Sequence, residues 1–103
     1  MKRLLVFVFL FPIICISQYT AIPDQNFEQA LIDLGYDNVI DGQVLTSSIS
    51  AITSLDVVAE NIPDLKGIED FTALTFLNCG YNLLTSLDLS NNTALDTLQA
   101  PFK

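Results

Sequence analysis

The sequence predicts an α+β repeat protein: a solenoid of stacked coils with short parallel strands, preceded by a helical cap at its N-terminal end. Two observations predict this class. Between residues 74 and 95 the same spacing of apolar side chains occurs twice, each time with an asparagine in the same place. Residues 18–51 lack that spacing and contain one amphipathic segment instead. Because the first coil of a solenoid needs a cover, the two regions together predict this architecture.

The repeated pattern is L-x-x-L-x-L-x-x-N-x-L. The positions that we assign to it, as a structural ladder, are Leu74, Leu77, Cys79, Asn82, Leu84, Leu87, Leu89 and Asn92. The segment 52–62 aligns with 74–84 on the same apolar pattern, with Glu60 in place of the asparagine and Asn61 next to it as a substitute through a one-residue bulge. The segment 93–103 aligns with 72–82. A pattern with a period in the low twenties is typical of the leucine-rich repeat. We therefore predict leucine-rich repeats over residues 52–103, as two coils and a partial third.

The alternation within each copy predicts which side chains face the core. Residues two apart on a strand point the same way, so Leu77 and Cys79 are predicted to face inward and Phe76 and Asn78 outward. "FLNC" is the predicted principal strand, and "SLDL" is a second extended segment on the opposite side. Asn82 stands at the corner after the strand. Its amide is predicted to satisfy backbone groups of its own coil and the next, against the alternative of an ordinary turn asparagine.

The outward strand positions are the candidate ligand contacts. They form two columns across the predicted strands: Ser54, Asp56, Phe76, Asn78, Thr97 and Gln99. An exposed aromatic side chain beside polar neighbours is a common contact anchor, which favours Phe76. The alternative for Phe76 is that it only shields an edge.

The predicted cap, residues 18–51, contains a helix in "IPDQNFEQALIDLGYD". Asp24 is the predicted N-cap, Glu28 favours the first turns, and Gly35 fits the position past the end. The apolar face comprises Phe27, Ala30, Leu31 and Leu34. This face is predicted to lie over the apolar end of the stack and to pack there, not to form a ligand groove.

Asp41-Gly42 is a turn signal, and it predicts a small hairpin between Val39-Ile40 and Val44-Leu45. The same stretch has features of a calcium-binding EF-hand loop. Counting from Asp37, however, Val39 occupies the third position, where the loop requires an oxygen ligand, and Ser48 occupies the twelfth, where it requires a bidentate glutamate. We therefore predict no metal site and no cofactor.

The N-terminus has the features of a secretory signal peptide, residues 1–17. Two basic residues precede an apolar run at 4–16, and small side chains occur by Ser17, the predicted end of the peptide. A membrane-spanning helix needs about 20 apolar residues, so an uncleaved anchor is the less favoured alternative. A lipidated Cys15 is also disfavoured, because the residue before it is not small.

Composition excludes several functions. After removal of residues 1–17, the sequence contains two basic residues, Lys66 and Lys103, and twelve carboxylates, which gives a formal net charge of about −10. Nucleic acids and anionic membrane surfaces favour basic patches, so neither is a predicted partner. The sequence contains no histidine, which removes a Ser-His-Asp triad, a Cys-His pair and histidine-based metal sites. A carboxylate pair could serve a glycosidase, but Asp56 and Asp88 are predicted to be solvated, and we predict no enzyme.

Residues 21–100 resemble the secreted leucine-rich repeat proteins of Bacteroidetes-type bacteria. The resemblance is carried by "IPDQNFEQALIDLGYD", "ITSLDV", "GIEDFTALTFLNC" and "LTSLDLSNNTAL". It implies 21-residue coils in tandem, export, and a role in binding or adhesion. Many relatives carry a C-terminal sorting domain, which this sequence does not show. "LQAPFK" also departs from the corner that the family would place there.

The sequence thus predicts a secreted or cell-surface module that binds a protein or a glycan. The alternative is a truncated N-terminal fragment of a longer repeat protein with a purely structural role. Leu95, Leu98 and Ala100 complete the inward pattern of the last coil, with only 101–103 to cover them. This predicts marginal stability, fraying from the C-terminus and end-to-end self-association.

Overall fold

The computed structural model describes residues 18–101. The predicted signal peptide, Phe102 and Lys103 lie outside the described residues. The elements in chain order are β1 (Tyr19–Ala21), α1 (Gln25–Asp33), β2 (Gln43–Leu45), α2 (Thr46–Ile49), β3 (Ser54–Asp56), a 3₁₀ helix (Ile68–Asp70), β4 (Phe76–Asn78) and β5 (Thr97–Gln99). Over this range we find no helix with the length and apolar character needed to cross a membrane.

Strands β3, β4 and β5 form a parallel sheet in that order. Leu55 lies opposite Leu77, and Leu77 lies opposite Leu98. The interval between partners is therefore nearly constant, and it is longer by a single position in the first pair. The short parallel strands are confirmed, and "FLNC" contains β4 as predicted. We call residues 54–75 coil 1 and residues 76–96 coil 2; each is a strand plus the segment that leads to the next strand.

The core lies on one face of this sheet. Leu55 and Leu77 are 1% and 0% exposed, whereas their strand neighbours Ser54 and Asp56 are exposed. The return segment of coil 1 covers that face with five further buried side chains: Ile62, Leu65, Ile68, Phe71 and Leu74. Alternation along the strands and close packing of the return segment thus produce one continuous apolar core.

The segment "SLDL" in coil 2 belongs to no strand. Leu87 and Leu89 are half-buried against the core, while Ser86 and Asp88 are exposed. The predicted alternation of inward and outward side chains is therefore present without a hydrogen-bonded ladder.

The N-terminal segment forms a separate antiparallel pair, β1 with β2. Thr20 lies opposite Val44, so the predicted hairpin partner of Val44 is wrong. Val39 and Ile40 are 52% and 37% exposed. β1 is the better partner because Thr20 and Val44 are both buried in this pairing. Val39, by contrast, stays exposed.

Helix α1 begins after Asp24, whose Oδ2 accepts the N–H of Phe27 at 2.8 Å. Phe27 packs on Phe71 of coil 1, with ring centroids 6.1 Å apart. The predicted helix is thus present, but Leu34, placed on its buried face, is 45% exposed. Leu34 is the C-cap, and Gly35 follows with φ +91°, which turns the chain away before the leucine reaches the core.

Side-chain and backbone contacts join the N-terminal segment to coil 1. The buried Thr20 donates its hydroxyl to Asp70 Oδ2 at 2.7 Å. Gly67, with φ +109°, approaches the same strand so closely that a Cβ atom there would lie 2.7 Å from the carbonyl oxygen of Ala21. Only glycine suits this junction, because it needs both a left-handed backbone and the absence of a side chain.

At the other end, β5 has no strand on its far side among residues 18–101. Leu98 is 46% exposed, although its register partner Leu77 is fully buried. The two inward residues on either side of this strand, Leu95 and Ala100, are only partly buried. The last described strand therefore carries core residues on a half-covered surface.

Candidate ligand-binding face

The six predicted contact residues lie on one face of the parallel sheet. One row of register partners contains Ser54, Phe76 and Thr97. The second row contains Asp56, Asn78 and Gln99. Phe76 and Asn78, on the central strand, are half-buried, and the other four are exposed. Neighbouring strands lie about 4.8 Å apart, so the rows form one continuous surface.

The polar side chains of this face are oriented by their own backbone. Asp56 Oδ1 accepts the N–H of Val58 at 3.2 Å, and Asn78 Oδ1 accepts the N–H of Gly80 at 3.2 Å. The equivalent bonds on adjacent strands hold both side chains in the same pose. These two bonds use one carboxylate oxygen of Asp56 and the amide oxygen of Asn78, and they do not involve the second oxygen of Asp56 or the amide nitrogen of Asn78.

Asn82 occupies the corner after β4 and connects two coils. Its Nδ2 donates to the carbonyl oxygens of Val57, Cys79 and Gly80 at 2.8–3.2 Å. Its Oδ1 accepts the N–H groups of Glu60 and Ile62 at 2.9 and 3.0 Å. The inter-coil bonds run to the preceding coil, whereas the sequence prediction placed them in the following one.

Asn92, the second ladder asparagine, is 4% exposed. Its Nδ2 donates to the carbonyl oxygens of Ile68 and Phe71, at 2.8 and 3.1 Å, again in the preceding coil. Its buried Oδ1 has no hydrogen-bond partner in the described part of the chain. Asn92 therefore uses only half of its hydrogen-bonding capacity.

The other ladder positions line the core. Leu74, Leu77 and Cys79 are buried, and Leu84, Leu87 and Leu89 are partly buried against them. Burial raises the pKa of the Cys79 thiol. A protonated and inaccessible thiol is a poor nucleophile, so this position fits packing better than chemistry.

Asp88, one of the carboxylates considered for a glycosidase pair, has a local environment that favours its ionised form. Asp88 lies in a groove of about 400 Å³ that Asp64, Lys66 and Glu69 also line. Hydrogen bonds from the hydroxyl and the N–H of Ser90 lower the pKa of Asp88. A glycosidase acid requires the opposite shift, so Asp88 does not suit the role of the acid.

A cluster of three carboxylates that the sequence analysis did not identify lies at the N-terminal segment. One oxygen each of Glu28, Asp37 and Asp41 lie within 4.8 Å of one another. One cation could reach all three, but exposed acidic groups often cluster without one, and we assign no metal site here. Glu28 was missed because a glutamate in the first turn of an amphipathic helix is normally solvated.

Comparison with known proteins finds two bacterial structures that are similar to this fold. No protein-family model matches the chain. A solved internalin (inlF) from Listeria monocytogenes superposes on 78% of the chain with a TM-score of 0.70 and 27% identity. The functional domain of InlJ from the same species, which includes a cysteine ladder, covers 77% with a TM-score of 0.63 and 34% identity.

The chain has a leucine-rich repeat fold. In sequence, it is 38% identical to Internalin J of Listeria monocytogenes over 71 residues, 69% of this chain. This leucine-rich repeat chain spans 8% of Internalin J, 24% of the inlF structure and 18% of the InlJ structure. These relatives come from Listeria, and the predicted Bacteroidetes-type origin stays a prediction.

Cys79 lies at a core position that recurs in each coil of this leucine-rich repeat chain. In the sheet register, the residues equivalent to it in the neighbouring coils are Val57 and Ala100. Cysteine therefore occupies one of three equivalent core positions, and no cysteine stack forms within residues 18–101.

Proposed function

We propose that the chain is an exported leucine-rich repeat module that binds an extracellular protein through its strand face. In this proposal it has no catalytic activity and uses no cofactor. The N-terminal segment serves as the cap of a solenoid whose coils have the short period of leucine-rich repeats. Export rests on the predicted signal peptide, and it gives a secreted or cell-surface location.

The observation that carries the proposal is the pair of side-chain rows across β3, β4 and β5. Two residues per strand project from a sheet whose other face is buried in the core at β3 and β4 and partly covered at β5. Such a surface is broad and continuous, as protein interfaces usually are, and it differs from the enclosed pocket of a small-molecule site.

The composition of this face also favours a protein partner. Phe76 is a half-buried aromatic residue in the middle of the surface, surrounded by amide, hydroxyl and carboxylate groups. A central aromatic residue with a polar rim is the usual arrangement of an interface hot spot. With one lysine against twelve carboxylates over the described residues, the chain complements a positively charged partner.

Binding of the full chain to a panel of extracellular proteins and to a glycan array tests this function. We expect Phe76→Ala with Asn78→Ala to weaken protein binding by at least about tenfold, because truncation of hot-spot residues costs more than about 1 kcal/mol each. Tyr19→Ala is the matched control, since Tyr19 is an exposed aromatic residue on β1, away from the strand face.

Unchanged binding by the double variant would contradict the strand-face assignment. Equal loss with Tyr19→Ala would show a non-specific effect. Binding to the glycan array alone, with the same dependence on Phe76, would support the strand face as the binding surface but would show that the partner is a glycan and not a protein.

The half-covered β5 edge favours a second candidate function. Exposed Leu98 fits a chain that stacks end to end on another coil or another molecule, with a purely structural role. In that case the full chain binds nothing on the panel, and truncation of Leu98, not of Phe76, changes its association state.

A further inference from the structure

Glu28 has an unusual environment for a carboxylate in the first turn of a helix. It is 1% exposed. Its Oε1 accepts the N–H of Gly42 at 2.9 Å, and its Oε2 accepts the N–H of Asp41 at 3.1 Å. These two bonds fasten the loop before β2 to helix α1. Ile22 N–H then donates to the carbonyl oxygen of Gly42 at 2.9 Å, which joins the same loop to the chain after β1.

Two more carboxylates of that loop face Glu28. Oxygens of Asp37 and Asp41 lie within 4.8 Å of it and of each other. Asp37 Oδ1 accepts the N–H of Asn38 at 2.8 Å, and Asp41 Oδ1 accepts the N–H of Gln43 at 3.2 Å. Asp37 Oδ2, in contrast, is buried and has no hydrogen-bond partner among the described residues. A buried acceptor without a donor destabilises the folded state, so a hydrogen-bond donor at this oxygen would be favourable.

The charges around the cluster are all of one sign. On its own helix, Glu28 follows Asp24, whose carboxylate is engaged by the N–H of Phe27. The helix N-terminus carries only about half a positive elementary charge, which does not balance three carboxylates. Lys66 is the only basic side chain between residues 18 and 101, and it lines the groove with Asp64, Glu69 and Asp88. Within that range no cationic side chain is therefore available to balance Glu28, Asp37 and Asp41.

We propose that Glu28 and Asp37 share one proton, held between the Glu28 carboxylate and Asp37 Oδ2, and that this proton is a pH-sensitive latch between helix α1 and the loop Asp37–Gly42. The shared proton removes one of the three charges and gives the orphaned oxygen its hydrogen bond. Its loss leaves three charged carboxylates within 4.8 Å of one another, and their repulsion loosens the loop from the helix.

The pKa of Glu28 is shifted in the direction that the shared proton requires. Burial raises the pKa of Glu28, and the side chains of Asp37 and Asp41 raise it further, while the backbone N–H groups of Asp41 and Gly42 lower it. The folded chain thus holds a proton at a pH where the unfolded chain has released it. The stability that comes from this proton is fully present below the unfolded pKa, and it is lost as pH rises through the folded pKa.

Hydrogen exchange of the Gly42 amide in the full chain, corrected for intrinsic exchange and followed from mildly acidic to mildly alkaline pH, tests the latch. We expect protection of the Gly42 amide to fall about tenfold or more as pH rises, because loss of the proton loosens the loop that holds this N–H against Glu28. A tenfold fall corresponds to about 1.4 kcal/mol in the free energy of local opening. Asp37→Asn places an amide donor where the proton would lie. It should keep protection constant within about twofold across the same range.

Asp64→Asn is the matched control. Asp64 also accepts a backbone N–H through Oδ1, that of Lys66 at 2.9 Å, and it lies in coil 1, away from the cluster. This variant should follow the wild-type pH dependence. A second measurement needs no variant: the side-chain carboxyl ¹³C shift of wild-type Glu28 should titrate above the ordinary glutamate range.

Constant wild-type protection, or an ordinary titration of Glu28, would overturn the latch. Equal effects of Asp37→Asn and Asp64→Asn would overturn it as well, since the cluster would then have no special role. Restoration of protection at alkaline pH by calcium alone, reversed by a chelator, would assign the cluster to a cation instead of a proton.

Discussion

Asn82 shows how a single side chain connects neighbouring coils. Its amide makes three donor contacts and accepts two N–H groups. These bonds satisfy backbone groups at a corner where neither a helix nor a strand supplies partners, which is the reason that buried turns need such residues. Asn92 makes only two donor contacts through its side chain.

Replacement of Asn82 by alanine should therefore destabilise the protein strongly. Each neutral hydrogen bond contributes about 1 kcal/mol, and unsatisfied buried partners add to the cost, so we expect a loss of about 2–4 kcal/mol. Urea unfolding of the full chain measures this. The exposed Asn91 is the control, and Asn91→Ala should change the free energy of unfolding by less than about 0.5 kcal/mol. Equal losses for both variants would refute a bridging role for Asn82.

At the scale of elements, β4 and β5 have the same sequence pattern but different surroundings. β4 has a strand on each side, and β5 has one on one side only within the described residues. The inward leucine is fully buried in the first and 46% exposed in the second. The energetic value of a repeat position thus depends on its neighbours and not on its residue type alone.

Alanine substitution of Leu77 and of Leu98 should show the difference in burial as a difference in the free energy of unfolding. Leu77→Ala should cost about 2–5 kcal/mol, because it leaves a cavity in a closed core. Leu98→Ala should cost about 1 kcal/mol or less, because water already reaches much of the side chain. Thermal or urea unfolding of both variants of the full chain provides the comparison. A cost at Leu98 as large as that at Leu77 would mean that Leu98 is covered in solution.

The strands were predictable from sequence, whereas parts of the N-terminal segment were not. Period-two alternation and the nearly constant repeat interval locate Leu55, Leu77 and Leu98 without tertiary information. The pairing of Thr20 with Val44 is a long-range contact, and a local turn signal at Asp41-Gly42 pointed to the wrong partner.

The functional residues likewise comprise some that the sequence predicts and some that it does not. The two rows of outward side chains follow from alternation alone. The burial of Glu28 depends on a loop that lies further along the chain, at Asp41 and Gly42, so the helix pattern could not reveal it.

At the scale of the whole molecule, charge of one sign dominates. Twelve carboxylates and one lysine are distributed over residues 18–101. Mutual repulsion of these groups favours the expanded unfolded chain, and dissolved salt screens it over about 10 Å at 0.1 M ionic strength.

Added sodium chloride should therefore stabilise the full chain. We expect the thermal unfolding midpoint to rise by a few degrees between low and moderate ionic strength. A variant with Asp33→Asn and Glu60→Gln, both exposed positions, should show a smaller rise because it carries fewer charges. Calorimetry at constant pH measures both. A midpoint that falls or stays constant with salt would show that the carboxylates are locally compensated.

The difference between the two coil lengths has an evolutionary consequence. Coil 1 is longer than coil 2 by a single position, yet both return the chain to the same register at the next strand. The extra position is absorbed in the return segment, where coil 1 forms the 3₁₀ helix at Ile68–Asp70 and coil 2 does not. Short insertions and deletions can thus accumulate on that side after duplication of a repeat, while the strand side stays in phase and its outward residues remain free to diversify.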